Sequence, residues 1–230
     1  MANRTKNFLI LISCVFLVVP PVFGDGLSDF FSGGKWFIQL QGGGRFPVSD
    51  DAAVRFNAGP HIEGGIGYVF SDGFTLGLES GTGWLNYSAQ PFINQVQQQY
   101  AVTGATAETG NVYLTHTPLE IFGQYSFLTN SSFAPYVFLG AGVAFDVAHG
   151  GSVEVDHQGT AWLFDIPSDR WINLELDPGF GVVLAISDLT KIFLQGKLEM
   201  DFAPTTGSHV ESSDSPLIMI PVQAGVKFIL

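Results

Sequence analysis

Nine ionisable residues could share one enclosed layer: Glu63, Glu79, Glu120, Glu175, Asp177, Lys197, Glu199, Asp201 and Lys227. Acids outnumber bases among them. Such a layer can form a fixed hydrogen-bonded core, hold a cation, or pass protons or cations along a path. The plain structural reading is the fixed core, with Lys197 and Lys227 as counter-ions and Arg45 reaching in from a rim. Four phenylalanines, Phe37, Phe122, Phe138 and Phe193, come from four different segments at similar depth. They predict an aromatic plug beneath the acidic layer.

Catalytic chemistry finds little support. The five histidines are His61, His116, His149, His157 and His209, and no pair has helical metal-ligand spacing. His149 and His157 share a segment with Glu154 and Asp156, which could make a surface metal site; a solvated loop is the plainer reading. His116-Thr117 has no serine beside it. Gly42-Gly43-Gly44 lacks the lysine and helix of a phosphate loop, so it reads as flexible strand. Asn86-Tyr87-Ser88 and Asn130-Ser131-Ser132 match glycosylation sequons only by composition. No enzyme, cofactor or metal is expected.

The elements that must position these residues are strands. Alternate residues of a strand point to opposite faces. In the stretch Leu217 to Leu230, Ile218, Ile220, Val222, Ala224, Val226, Phe228 and Leu230 fall on one face. Gln223, Gly225 and Lys227 fall on the other. The same division recurs at about 35–45, 61–70, 74–87, 112–127, 136–147, 174–186 and 191–202. Charges are absent from the apolar face through the strand centres, and the nine ionisable residues all lie on the other. Inward glycines such as Gly65, Gly77, Gly140, Gly142 and Gly179 make room for them. Ser71-Asp72-Gly73 reads as a tight hairpin turn. The connections alternate short and long, and the long ones, 46–60, 88–110, 149–170 and 203–216, are expected as loops. Outward aromatics such as Trp36, Tyr68, Tyr125 and Phe127 cluster near the ends with short turns.

Composition agrees. Of 230 residues, 28 are glycine and 21 phenylalanine, and charged residues are 13%, as in β-rich chains with many turns. The net charge of -12 argues against nucleic-acid phosphates as partners. Arg4 and Lys6, the apolar run from Phe8 to Val19 and the exit Val22-Phe23-Gly24 read as a signal peptide over 1–24. Leu11-Ile12-Ser13-Cys14 resembles a lipobox, which leaves a lipoprotein as the rival reading. Cys14 is the only cysteine, so no internal disulfide is possible.

Even strand number, alternate long connections and one charge-free face resemble the small eight-stranded outer-membrane proteins: the OmpA membrane domain, OmpX, the Opa and NspA adhesin type, and OmpW. The last strand is similar to the terminal strand of such barrels, although Leu230 replaces their usual aromatic end. The resemblance implies an all-β, eight-stranded antiparallel up-and-down transmembrane barrel over 25–230. It implies integration in a bacterial outer membrane, lipid as the immediate partner, four extracellular loops, and a monomer. The expected role is envelope structure and surface interaction or adhesion, with host or environmental ligands contacting the loops. The alternative is a narrow OmpW-like or cation-selective channel. A secreted lipocalin-like carrier, suggested by Gly34-Lys35-Trp36, and a barrel enzyme stand behind these. A lipocalin would reverse the faces, apolar inside and charged outside.

Overall fold

The computed structural model describes residues 34–70, 73–128, 132–206 and 216–230; the proposed signal peptide, lipobox and second sequon fall wholly or partly outside these. The long strands are β1 (Lys35–Pro47), β2 (Gly59–Val69), β3 (Phe74–Asn86), β5 (Tyr113–Ser126), β6 (Phe133–His149), β9 (Asp169–Ala185) and β12 (Leu217–Ile229). β10 (Thr190–Lys197) and β11 (Glu199–Thr206) form one further barrel strand in two pieces. The break has a local cause. Leu198 N–H donates to the Pro178 carbonyl on β9 at 2.8 Å, but Pro178 has no N–H to return.

The sheet runs β1-β2-β3-β5-β6-β9-β10/β11-β12 and closes through β1–β12, giving an eight-stranded antiparallel barrel. The seam pairs Ile38 with Phe228 and Gly42 with Ala224. Leu230 N–H donates to the Trp36 carbonyl at 2.8 Å. Closure removes the unpaired backbone edge that an open sheet would expose. Gly43 makes the seam possible. A Cβ there would run into the Val222 carbonyl oxygen and stand 2.8 Å from Gln223 Cα, both backbone atoms that cannot swing aside. Gly43→Ala is expected to destabilise the barrel by about 1–3 kcal/mol. A reduced fraction of compact, heat-modifiable protein on electrophoresis is the readout.

The alternation read from the sequence places side chains as expected. Ile38, Leu40, Ile66, Leu78, Ile121, Leu139, Phe180, Leu194 and Val222 stand exposed on the outer wall. The lumen holds the charged and amide side chains, all buried. A soluble carrier of the lipocalin kind would show the reverse. One end of the barrel has short links, at 70–73, 127–132 and 186–189. Gly73 adopts φ +78, a backbone conformation that glycine adopts without penalty.

The other end departs from the expectation of plain loops. Helix α1 (Asp50–Arg55) follows β1, with Ser49 Oγ accepting from Ala52 N–H at 3.4 Å as its cap. Helix α2 (Gln90–Tyr100) begins with Pro91 in its first turn and ends at Ala101 with φ +52. β4 (Thr106–Thr109), β7 (Gly151–His157) and β8 (Thr160–Ile166) form a separate three-stranded sheet in the order β4-β7-β8. Its core is Val96, Val153 and Val155, with Phe92, Ile93, Trp162 and Phe164 packed against it. The segments 88–110 and 149–170 are therefore folded together. The signal was present as Val153/Val155 and Trp162/Phe164/Ile166 alternation. The turn was disguised: Gln158 and Gly159 both have positive φ, the two-residue hairpin geometry usually announced by Asn-Gly or Asp-Gly.

Candidate functional site

The candidate site is the barrel lumen, where the charged side chains lie buried. All nine ionisable residues expected there are buried, the most exposed being Lys227 at 4%. They fall into layers along the barrel axis.

At the short-turn end lies a buried apolar cluster of Phe37, Phe122, Tyr136, Phe138, Val183, Phe193 and Ile229. It brings together the four phenylalanines singled out from sequence. Phe122 stacks on Phe138 with ring centroids 5.2 Å apart, and Phe37 lies 6.4 Å from Phe122. Glycines on neighbouring strands receive these rings. A Cβ on Gly77 would lie 2.7 Å from Phe122 Cζ, and one on Gly67 would lie 2.6 Å from Phe37 Cζ.

Lys227 sits directly above. Its Nζ stands 4.3 Å from the Phe37 ring centroid and donates to Gln124 Oε1 at 3.1 Å. This corrects its assignment as a counter-ion to the acids: the ammonium is held by a ring face and an amide oxygen. Register decides this, since Lys227 pairs with Gln39 and Lys191 near the short-turn end, below the acidic layers.

The middle layer is built on Lys197. Its Nζ donates to Glu79 Oε1, to Glu120 Oε1 at 3.4 Å and to Glu63 Oε2 at 3.5 Å. Gln39 Nε2 donates to Glu79 Oε2 at 3.0 Å, and Gln41 Nε2 to Glu63 Oε2 at 2.7 Å. Tyr136 hydroxyl donates to Gln195 Oε1 at 2.7 Å, tying the aromatic cluster to this layer.

The next layer is built on Arg45 and His116. Arg45 is 1% exposed, a central element of the network and not a rim residue. Its Nη2 stands 3.0 Å from Glu199 Oε2 and 3.6 Å from Glu63 Oε1. His116 Nδ1 lies 2.8 Å from Asp146 Oδ1, and its Nε2 lies 3.0 Å from Glu199 Oε1 and 3.6 Å from Glu175 Oε1. Asp201 Oδ2 is 3.8 Å from Nδ1. Asn173 Nδ2 donates to Asp146 Oδ2 at 2.7 Å, and His61 Nε2 meets Gln223 Oε1 at 2.6 Å.

The sequence reading did not place His116, Asp146, Asn173 and His61 in this network. The signal was parity. His116 shares its face with Glu120, Phe122 and Gln124, and His61 shares its face with Glu63. Beyond this layer, a second buried apolar cluster of Phe56, Leu85, Leu114 and Met219 lies at the long-connection end, with Tyr87, Trp171 and Leu217 against it.

Among the described residues, His149 and His157 do not fall in a grouping with metal-ligand proximity. His149 stacks on Tyr113 at 4.2 Å, and its Nε2 lies 3.0 Å from Thr115 Oγ1. Among the described residues, the groupings with metal-ligand proximity lie in the lumen: His116 with Glu175, Glu199 and Asp201, and Glu120 with Glu175 and Asp177.

No protein-family model and no curated protein matches the chain. Solved structures do. Neisserial surface protein A is 13% identical with a TM-score of 0.53, over 86% of this chain and 99% of that one. A major outer membrane protein from Thermus thermophilus is 10% identical with a TM-score of 0.51, over 86% of this chain and 100% of that one. Identity this low speaks to architecture alone. The chain carries the fold of the small eight-stranded outer-membrane barrels.

Proposed function

We propose that the protein is an integral outer-membrane barrel with a closed lumen, exported by its N-terminal signal peptide, whose role is surface interaction through the folded cap of its long connections. The observation that carries this reading is the pair of buried apolar clusters, Phe37/Phe122/Phe138/Phe193 at one end and Phe56/Leu85/Leu114/Met219 at the other. Between them the side chains of Arg45, Lys197 and the acids they pair with fill the interior, which supports a core over a conduit. The exposed apolar wall supports residence in hydrocarbon, since water would not tolerate a patch of that extent.

The cap supports interaction. Its sheet has its own core, so it presents a defined surface. Glu108 and Glu154 stand directly opposite each other on that sheet, both exposed, with Asp165 exposed on β8. No lysine or arginine occurs between Arg55 and Arg170. Like charges set opposite each other cost stability, and a cationic surface ligand would relieve that cost. A basic protein or polyamine-like surface is the partner chemistry this favours.

The second reading, a cation-selective channel, rests on the lumen's acids, which outnumber Arg45, Lys197 and Lys227. Planar bilayers separate the two. The wild-type barrel is expected to show no steady conductance. Cells whose 88–110 and 150–168 segments are replaced by short linkers should lose binding to a cationic surface while keeping a heat-modifiable barrel. Steady, large conductance from single wild-type barrels would overturn the closed-lumen reading.

A further inference from the structure

The carboxylates of Glu120, Glu175 and Asp177 converge in the lumen over an unusual floor. Glu120 on β5 pairs with Gly142 of β6, and Gly142 pairs in turn with Glu175 of β9. Asp177, two residues along β9 on the same face, pairs with Gly140. Both glycines point inward and present no side chain, so acids from the two flanking strands lean across β6 toward each other. The space is used: a Cβ on Gly140 would collide with Glu120 Oε2 and stand 3.4 Å from Asp177 Cβ.

Most of the carboxylate oxygens in this cluster are left without donors. Both carboxylate oxygens of Glu175 and of Asp177, and Oε2 of Glu120, have no hydrogen-bond partner. Glu175 is 1% exposed and Asp177 is 0%. Glu120 Oε1 has Lys197 at 3.4 Å, and Glu175 Oε1 has His116 Nε2 at 3.6 Å, but among the described residues Asp177 has no ion pair. An unpaired buried carboxylate is strongly destabilising unless a cation or a proton neutralises it. One ligand oxygen from each of the three acids lies within 4.8 Å of the others. Calcium–oxygen distances of about 2.3–2.6 Å place opposite ligands of one ion about 4.6–5.2 Å apart. The neighbouring His116 group is a weaker candidate, because Arg45 already pairs with Glu199 within it.

We propose that Glu120, Glu175 and Asp177 bind a calcium ion inside the barrel. Five carboxylate oxygens of these three residues have no hydrogen-bond partner, a set of oxygens that suits calcium; magnesium holds several waters and uses one or two carboxylates. The ion ties β5 to β9 across β6, and enters as the barrel forms. None of its ligands belongs to the cap, so its binding does not depend on what the cap binds.

The test is to refold the full chain in detergent with calcium or with EGTA, desalt, and measure bound calcium by elemental analysis and the unfolding temperature. Protein refolded with calcium is expected to retain it stoichiometrically and to unfold at a higher temperature than protein refolded in EGTA. Asp177→Asn should retain none and unfold at one temperature in both conditions. Glu175→Gln provides the same comparison should Asp177→Asn not refold. Calcium retained equally by wild type and variant belongs to the acidic cap and overturns the proposal. So does a wild type that unfolds identically in calcium and EGTA, which would mean that protons neutralise the cluster.

Discussion

Lys197→Met lowers the unfolding free energy by about 3–5 kcal/mol, seen as a lower urea midpoint in detergent or lipid vesicles. The side chain is replaced by one of similar length, so packing changes little. The charge is lost from a position where it serves Glu63 on β2, Glu79 on β3 and Glu120 on β5. All four residues are at most 3% exposed, so water cannot take over the ammonium's role. The large number reflects stranded carboxylates, not the net worth of the ion pairs; pairing buried charges gains little over an apolar core, whereas breaking one pair is costly. The double variant Lys197→Met with Glu79→Gln is therefore expected to recover part of the loss. A double variant that loses the sum of both single effects would show that the two side chains act independently.

Leu78→Arg is expected to cost about 2–4 kcal/mol when the barrel is folded into lipid vesicles, while Leu78→Phe is expected to be nearly neutral. Leu78 is 51% exposed on the outer wall, at mid-strand, flanked by Ile66 on β2 and Ile121 on β5. Its chain neighbour Glu79 points the other way and is buried. The two adjacent residues thus state the orientation of the whole wall. A water-facing wall would accept arginine at Leu78 without penalty, and the protein would gain solubility without surfactant. That result would remove the membrane reading at its root.

Orientation was legible because it is local. Side-chain direction in a strand has period two, so Ile38, Gln39, Leu40 and Gln41 declare their faces without reference to any other strand. Short links imply antiparallel pairing only for the strands they join; the full up-and-down order was what the resemblance to small outer-membrane barrels implied. That was enough to place the nine lumen charges and the four phenylalanines on the inside. It was not enough to recognise His116, or to give Arg45 more than a place at the rim, because their faces could be read but their partners could not. Arg45 sits at the end of the expected first strand, which in the structure continues to Pro47 and carries the guanidinium into the interior.

Sequence alone determined which way each residue of the wall points, because the pleat fixes that within a few residues of chain. The tertiary structure decided which charges meet. Lys197 reaches Glu63 and Glu79 across 134 and 118 residues, and Lys227 lies on a phenylalanine ring, because closure through β1–β12 staggers strands by amounts that no single strand encodes. The cap was settled in the same way: α2, β4 and the β7–β8 hairpin are too short to bury their apolar faces separately, and they become ordered elements only where the barrel brings their ends together.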